Sequence, residues 1–236
     1  MTYLISDIHG EYSLFLKLLN SIHFSSSDKM IICGDILEKG PHSIKLLKFV
    51  RNHSNIIFII GNHEYDFLKY YTSIMMKQDD GFDEKEVLKK INSFFPKEED
   101  TLNWEDLDWL ENCAYYYETE DYICVHAGIG LNNNEVINPK DNDVRILVYD
   151  RNFKDPNLII NNSKCVFFGH TPTGYLIDDY RIITYKRKYI EKVKSIRDFY
   201  KIHLDCGTYL SGVLGCFCIE NCKEYYVKKD FLIYEN

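Results

Sequence analysis

The sequence predicts an α/β fold in a single domain over residues 1–236, and three observations lead there. Short β-branched apolar runs alternate with helically spaced apolar residues through the first third of the chain. The second half reads as a series of closely spaced strands. Strands in both halves run out onto Asp, Asn or His, usually beside a glycine.

Taken in order, "YLIS" is followed by "EYSLFLKLLNSI", whose Leu and Phe residues recur at helical spacing. "MIIC" is followed by "HSIKLLKFVRNH", with Pro41 suited to a helix start. "IIFII" is followed by "HEYDFLKYY". This β-α-β-α-β order calls for parallel neighbours joined by crossover helices. From about Thr72 to Asn112 the pattern turns charged and helical, which predicts a helical insertion at about 72–112. The strands expected beyond it are "YYYE", "YICV", "CVFF", "RIITY", "KIHLD", "VLGCFCI" and "EYYVKK", the last two forming a hairpin with a turn at Glu220–Lys223.

At 236 residues, 45% of them hydrophobic, the chain is long enough for a large core. No apolar run reaches membrane-spanning length, and "MTYLISDIHG" lacks the basic start and cleavage site of a secretory signal. A cytoplasmic protein with no membrane partner is expected. A net charge of −8 argues against a nucleic-acid partner, which demands a dense basic surface. The one basic segment, Tyr185 to Lys201, reads as a solvated face. The eight cysteines show no zinc-site spacing and read as reduced thiols, several of them inside apolar runs.

Five apolar runs end in candidate ligands. They run into Asp7-Ile8-His9, Gly34-Asp35, Gly61-Asn62-His63, His126-Ala127-Gly128 and Gly169-His170. A single case is an ordinary turn or helix cap. Five cases place a site at the strand C-terminal ends, where open α/β sheets bind ligands. Carboxylates, imidazoles and one amide suit divalent ions such as Mn²⁺, Fe²⁺ or Zn²⁺. The two-residue spacing of Asp7 and His9 sets both side chains on one side of an extended backbone. Asp35, on another strand, has two oxygens with which to bridge a pair of ions, leaving Asn62, His126 and His170 for the second. Ions about 3.5–4 Å apart activate a shared water and clamp the oxygens of an in-line displacement.

The ordered set "SDIHG", "GDILEKG", "GNHE", "HAG" and "GHTP" resembles the signature of the phosphoprotein phosphatase (PPP) family within the calcineurin-like metallophosphoesterases, most of all its small bacterial and phage members. The resemblance implies a β-sandwich of two mixed sheets flanked by helices. It implies two divalent ions, Mn²⁺ first and Fe or Zn as alternatives. Asp7, His9 and Asp35 would hold one ion, and Asp35, Asn62, His126 and His170 the other. His63 would be the general acid, oriented by Glu38 in place of the family's Asp. Lys39 stands where the family has a phosphate-binding Arg, and Arg151 corresponds to its second Arg without the accompanying Trp. Ser6 replaces a Gly.

The function so implied is a serine/threonine protein phosphatase, with a phosphorylated protein or peptide as partner and direct attack by a metal-activated hydroxide. The alternative is a symmetrical diadenosine tetraphosphate hydrolase, which shares the motifs. A non-catalytic module binding a phosphorylated partner is a third reading, disfavoured because every family metal ligand and His63 are present.

Overall fold

A computed structural model describes residues 1–77, 83–96 and 98–229. Its first third contains three parallel strands, β1 (Thr2–Ile5), β2 (Lys29–Cys33) and β3 (Ile56–Ile59), joined by helices α1 (Tyr12–Ser21) and α2 (Ser43–Arg51). Helices α3 (Asn62–Met75), α4 (Glu84–Asn92) and α5 (Trp104–Glu111) follow. Then come β4 (Tyr116–Glu118), β5 (Tyr122–Val125) and a short hairpin of β6 (Leu131–Asn132) and β7 (Glu135–Val136). Helix α6 (Val144–Tyr149), β8 (Cys165–Phe168), α7 (Gly174–Ile177), β9 (Ile183–Lys186) and β10 (Phe199–His203) lead to α8 (Thr208–Ser211) and the hairpin β11 (Val213–Cys218) and β12 (Lys223–Lys228).

The strands form two mixed five-stranded sheets, ordered β12-β11-β1-β2-β3 and β4-β5-β8-β10-β9. The period-2 alternation of strand side chains explains how they stack. Leu4, Ile31, Cys33 and Ile59 leave the first sheet on one face and pack against Cys124, Phe167 and Ile202 of the second. Tyr3, Ile5, Met30, Ile32 and Phe58 leave on the other and meet the helices. Ile123, Val125, Val166 and Phe168 face outward from the second sheet onto Leu147 of α6. Strands covered on both faces read as continuous apolar runs, which is why "MIIC" and "CVFF" show no alternation in sequence.

On α1 the buried stripe is Leu14, Phe15 and Leu18, spaced three and four apart. Val87 and Ile91 of α4 and Leu107 and Leu110 of α5 join the cluster that holds Phe67 of α3. Residues 78–82 and 97 of the expected 72–112 segment lie outside the described residues. Among the described residues, no helix is long and apolar enough to cross a membrane. All eight cysteines are free.

The basic segment departs from expectation at its end. Lys201 lies on β10 with no solvent exposure. Its ammonium donates to the carbonyls of Phe153 (3.0 Å) and Asp155 (2.7 Å) and sits 4.5 Å from the Tyr185 ring centroid. Burial lowers its pKa to about 8. The strand, rather than the charge run, decides where this side chain goes.

Candidate metal centre

Beyond their last strand residues the loops continue side by side. Asp7 N donates to Gly34 O (3.1 Å), His9 N to Asp35 O (2.9 Å) and Gly10 N to Ile36 O (2.8 Å). The second sheet joins them: Gly169 N donates to His126 O (2.6 Å), and His170 N reaches Asp7 Oδ2 (3.0 Å). Ser6, the departure from the family glycine, donates its hydroxyl to Asp7 Oδ2. Asp7, His9, Asp35, Glu38, Lys39 and His170 all have left-handed φ, between 49° and 70°. Such conformations cost non-glycine residues about 1–3 kcal/mol each and cluster at functional sites. The glycines beside the ligands provide room. At Gly34, itself at φ +83, a Cβ would lie 2.5 Å from His126 Nδ1; at Gly61 it would strike the Asp35 carboxylate.

Two ligand clusters result, and Asp35 belongs to both. Atoms of His9, Asp35 and His63 lie within 4.8 Å of one another, as do those of Asp35, His126 and His170. Asn62 Oδ1 is 2.8 Å from His170 Nδ1 and 3.0 Å from His126 Nε2, and His126 Nε2 is 3.4 Å from Asp35 Oδ2. Asp7 Oδ1 stands 3.9 Å from His9 Nε2. Backbone carbonyls set the tautomers. His9 Nδ1 faces Leu37 O at 3.2 Å and His126 Nδ1 faces Cys33 O at 2.8 Å, so both must donate there and turn a bare Nε2 inward.

This donor set fits divalent cations. Around His126 Nε2 crowd Asn62 Oδ1, Asp35 Oδ2 and His170 Nδ1, an imidazole, amide and carboxylate donor set. His170 Nε2 is buried without a hydrogen-bond partner among the described residues. Beside the other cluster, the Lys39 ammonium lies 2.9 Å from His9 Nε2, a positive charge aimed at a neutral ring. The electrostatics agree. Burial, followed by the nearby Glu64 and Asp7, pushes the Asp35 carboxyl well above its usual range. Burial and then Lys39 push His9 well below its own, and burial with His126 lowers His170 to about 2. Carboxylates pressed together and imidazoles held neutral are what bound cations relieve.

His63 lies at the edge of the first cluster, its Nε2 3.9 Å from Asp35 Oδ2. Burial alone would lower its pKa, but the 2.6 Å hydrogen bond from Nδ1 to Glu38 Oε2, helped by the charge of Asp35, leaves it raised. Glu38, on a left-handed backbone at φ 62, reaches His63 with its longer side chain. Arg151, just past α6, lines a cleft of about 430 Å³ over the clusters together with Lys39, Tyr175 and Tyr209.

Two buried acids escaped the sequence reading. Both oxygens of Glu64 are occupied by backbone amides: Oε2 accepts from Asp35 N and Gly61 N, and Oε1 from Ile36 N and Leu37 N, all at 2.9–3.0 Å. The available signal was half of a capping box at the start of α3: Glu64 at the third helical position reaches back to the amide of Gly61, which has no side chain to reciprocate. Asp205 is buried beside the cleft and accepts from Gly207 N (2.7 Å); burial and Asp7 raise its pKa well above the carboxylate range. It ends "KIHLD", a sixth strand run that ends on a candidate ligand, and the same count would have included it.

Comparison with known proteins extends the picture. A family model of the calcineurin-like phosphoesterases matches residues 2–204. A protein of Wigglesworthia glossinidia brevipalpis is 40% identical over 139 residues, and one of Nitrosomonas europaea 29% over 130. Both are named symmetrical bis(5'-nucleosyl)-tetraphosphatase; each match covers 54% of this chain and spans 44% of the relative's own length. A solved structure provisionally assigned as a diadenosine tetraphosphatase superposes with a TM-score of 0.66 at 14% identity, covering 97% of this chain and 93% of that one, a likeness of fold. The curated names overturn the expected protein phosphatase and its phosphorylated protein or peptide partner. The physical reason is that the motifs encode metal and phosphate chemistry common to both activities. Other lining residues of the cleft, Arg151, Tyr175, Tyr209 and Leu210 among them, lie outside those motifs.

Proposed function

Because the chain belongs to the calcineurin-like phosphoesterase family, we propose that it hydrolyses dinucleoside tetraphosphates symmetrically, cleaving the central anhydride to release two nucleoside diphosphates. The 40% match to a symmetrical bis(5'-nucleosyl)-tetraphosphatase carries the reading. The cleft supports it, since Lys39 and Arg151 border the ligand clusters while Tyr175 and Tyr209 add aromatic wall.

In this reading Asp7, His9 and Asp35 hold one divalent ion, and Asp35, Asn62, His126 and His170 the other, with Mn²⁺ matched to the mixed oxygen and nitrogen set. When bound, the ions supply a water of lowered pKa and positive charge at the reacting phosphate. Lys39 and Arg151 neutralise the outer oxygens of the polyphosphate, Lys39 as a point charge and Arg151 as a fork. His63, whose protonated form the Glu38 carboxylate favours, donates from Nε2 to the departing diphosphate oxygen. A diphosphate leaves with far less need of a proton than an alkoxide does, so His63 contributes less here than it would on a phosphoserine ester.

The test is product analysis. With diadenosine tetraphosphate and Mn²⁺, ADP should be the sole nucleotide product, at two per substrate consumed. A chelator should abolish turnover, and Mn²⁺ should restore it better than Ca²⁺, which prefers a shell of oxygens. AMP and ATP as products, or no hydrolysis by a protein active on p-nitrophenyl phosphate, would sink the reading.

A further inference from the structure

The described cleft has a neighbour. A second cleft of about 420 Å³ is lined by Glu38, Ser43, Phe94, Pro96 and Glu98, and it shares Lys39 and Tyr209 with the first. Tyr209 stands on the ridge between the two, half exposed on α8. Tyr175, on α7, is 67% exposed at the rim of the first. Exposed aromatic rings gathered around a cluster of buried ligands are the usual form of a binding surface rather than of a solvated one.

The reaction geometry calls for two arms. In an in-line displacement the attacking and departing oxygens lie on opposite sides of phosphorus. In cleavage of the central anhydride of a dinucleoside tetraphosphate the departing half lies opposite the attacking water and the retained half stays on phosphorus through an equatorial oxygen, so the two halves leave the reacting centre in different directions. Resting on the function proposed above, we infer that the two clefts are the two nucleoside subsites and that Tyr209 is the stacking residue common to both.

The chemistry of the walls assigns the halves. The first cleft, with Arg151 and Lys39, takes the half whose phosphorus is attacked. The second borders Glu38, whose carboxylate holds His63, and so lies on the side from which the proton comes; it takes the departing half. Its carboxylates suit sugar hydroxyls and amino groups rather than phosphate. Phe94, backed by Phe67, Tyr70 and Phe95, and Tyr209 line the cleft with aromatic surface for a base, and Ser43 Oγ, buried without a hydrogen-bond partner among the described residues, lies on the same wall.

Base stacking on an aromatic side chain sets the expected size of the effect. Tyr209→Ala should lower the ratio of kcat/KM for diadenosine tetraphosphate to that for p-nitrophenyl phosphate by about 10- to 100-fold, mostly through KM. Tyr209→Phe should restore it, because the ring and not the hydroxyl is used. Phe94→Ala should raise KM for diadenosine tetraphosphate about tenfold, with a smaller rise for adenosine 5'-tetraphosphate, whose single nucleoside has the first cleft to occupy. A Mn²⁺-induced rise in Tm equal to that of the unmodified protein verifies that each variant is folded and binds metal.

An unchanged substrate ratio in a folded Tyr209→Ala, or equal KM rises on both nucleotides in Phe94→Ala, overturns the two-cleft assignment and leaves the proposed function standing. If the unmodified protein hydrolyses p-nitrophenyl phosphate but not diadenosine tetraphosphate, the function falls and the assignment with it.

Discussion

Asp35→Asn should lower kcat on any phosphate substrate by on the order of 10³-fold or more, with loss of bound metal. Asp35 is the one residue common to both ligand clusters. An amide offers one oxygen and no charge where a bridge needs two oxygens and a charge. Charge stabilisation by bound ions is worth several kcal/mol, and each ~1.4 kcal/mol is tenfold in rate. A second readout separates lost metal from lost fold. Burial and the neighbouring Glu64 and Asp7 disfavour the charged Asp35, so the metal-free variant should melt above the metal-free parent, while Mn²⁺ should raise the Tm of the parent alone. A variant that keeps both ions and turns over within tenfold of the parent would remove Asp35 from the bridge.

Glu64→Ala should destabilise the protein by about 4 kcal/mol, measured by urea unfolding. It would strand the amides of Asp35, Ile36, Leu37 and Gly61 around a fully buried side chain. Each buried donor left without an acceptor costs about 1–3 kcal/mol, though four neighbours will not add. Glu64→Gln keeps one acceptor oxygen but turns an NH₂ group toward two backbone donors, and should lose about 2 kcal/mol. Activity should fall with stability, since these amides hold the loop that carries Asp35. A loss below about 1 kcal/mol for Glu64→Ala would show that the loop finds other acceptors.

Much of this architecture was legible from local signals. Strands such as "MIIC" and "CVFF" announce themselves by apolar β-branched and aromatic content, and α1 by its Leu14, Phe15 and Leu18 spacing. The convergence of Asp7, Asp35, Asn62, His126 and His170 followed from counting polar strand ends. What escaped depends on long-range geometry. Glu64 reads as one more charge near a helix start, and only the fold brings the loop after β2 over it. Lys201 looks solvated because it closes a basic segment, although it also opens the expected strand "KIHLD", and it is the strand that turns it inward. The short α7 and α8 carry no periodicity, yet they bring Tyr175 and Tyr209 to the cleft. Substrate class was misread for the same reason: the motifs describe the floor of the site, and the walls come from these irregular segments.

The joining of Asp7 to His170 across 163 residues has a consequence for how the chain folds. Asp7, His9, Asp35 and Asn62 follow strands of one sheet and His126 and His170 strands of the other, so the cluster of Asp35, Asn62, His126 and His170 is complete only once the two sheets have met. Contacts of such sequence separation form slowly, because a long loop must close before they return any stabilisation. An ion held by that cluster would therefore enter after the rate-limiting step of folding and act on the escape from the native state. Adding a chelator should speed unfolding by the full factor of the lost stability and leave the refolding rate unchanged in a chevron experiment. Equal changes in both limbs would place sheet docking before the barrier. A metal centre in this fold would then be a brake on unfolding, and withdrawal of the metal would shorten the protein's lifetime as well as halt its turnover.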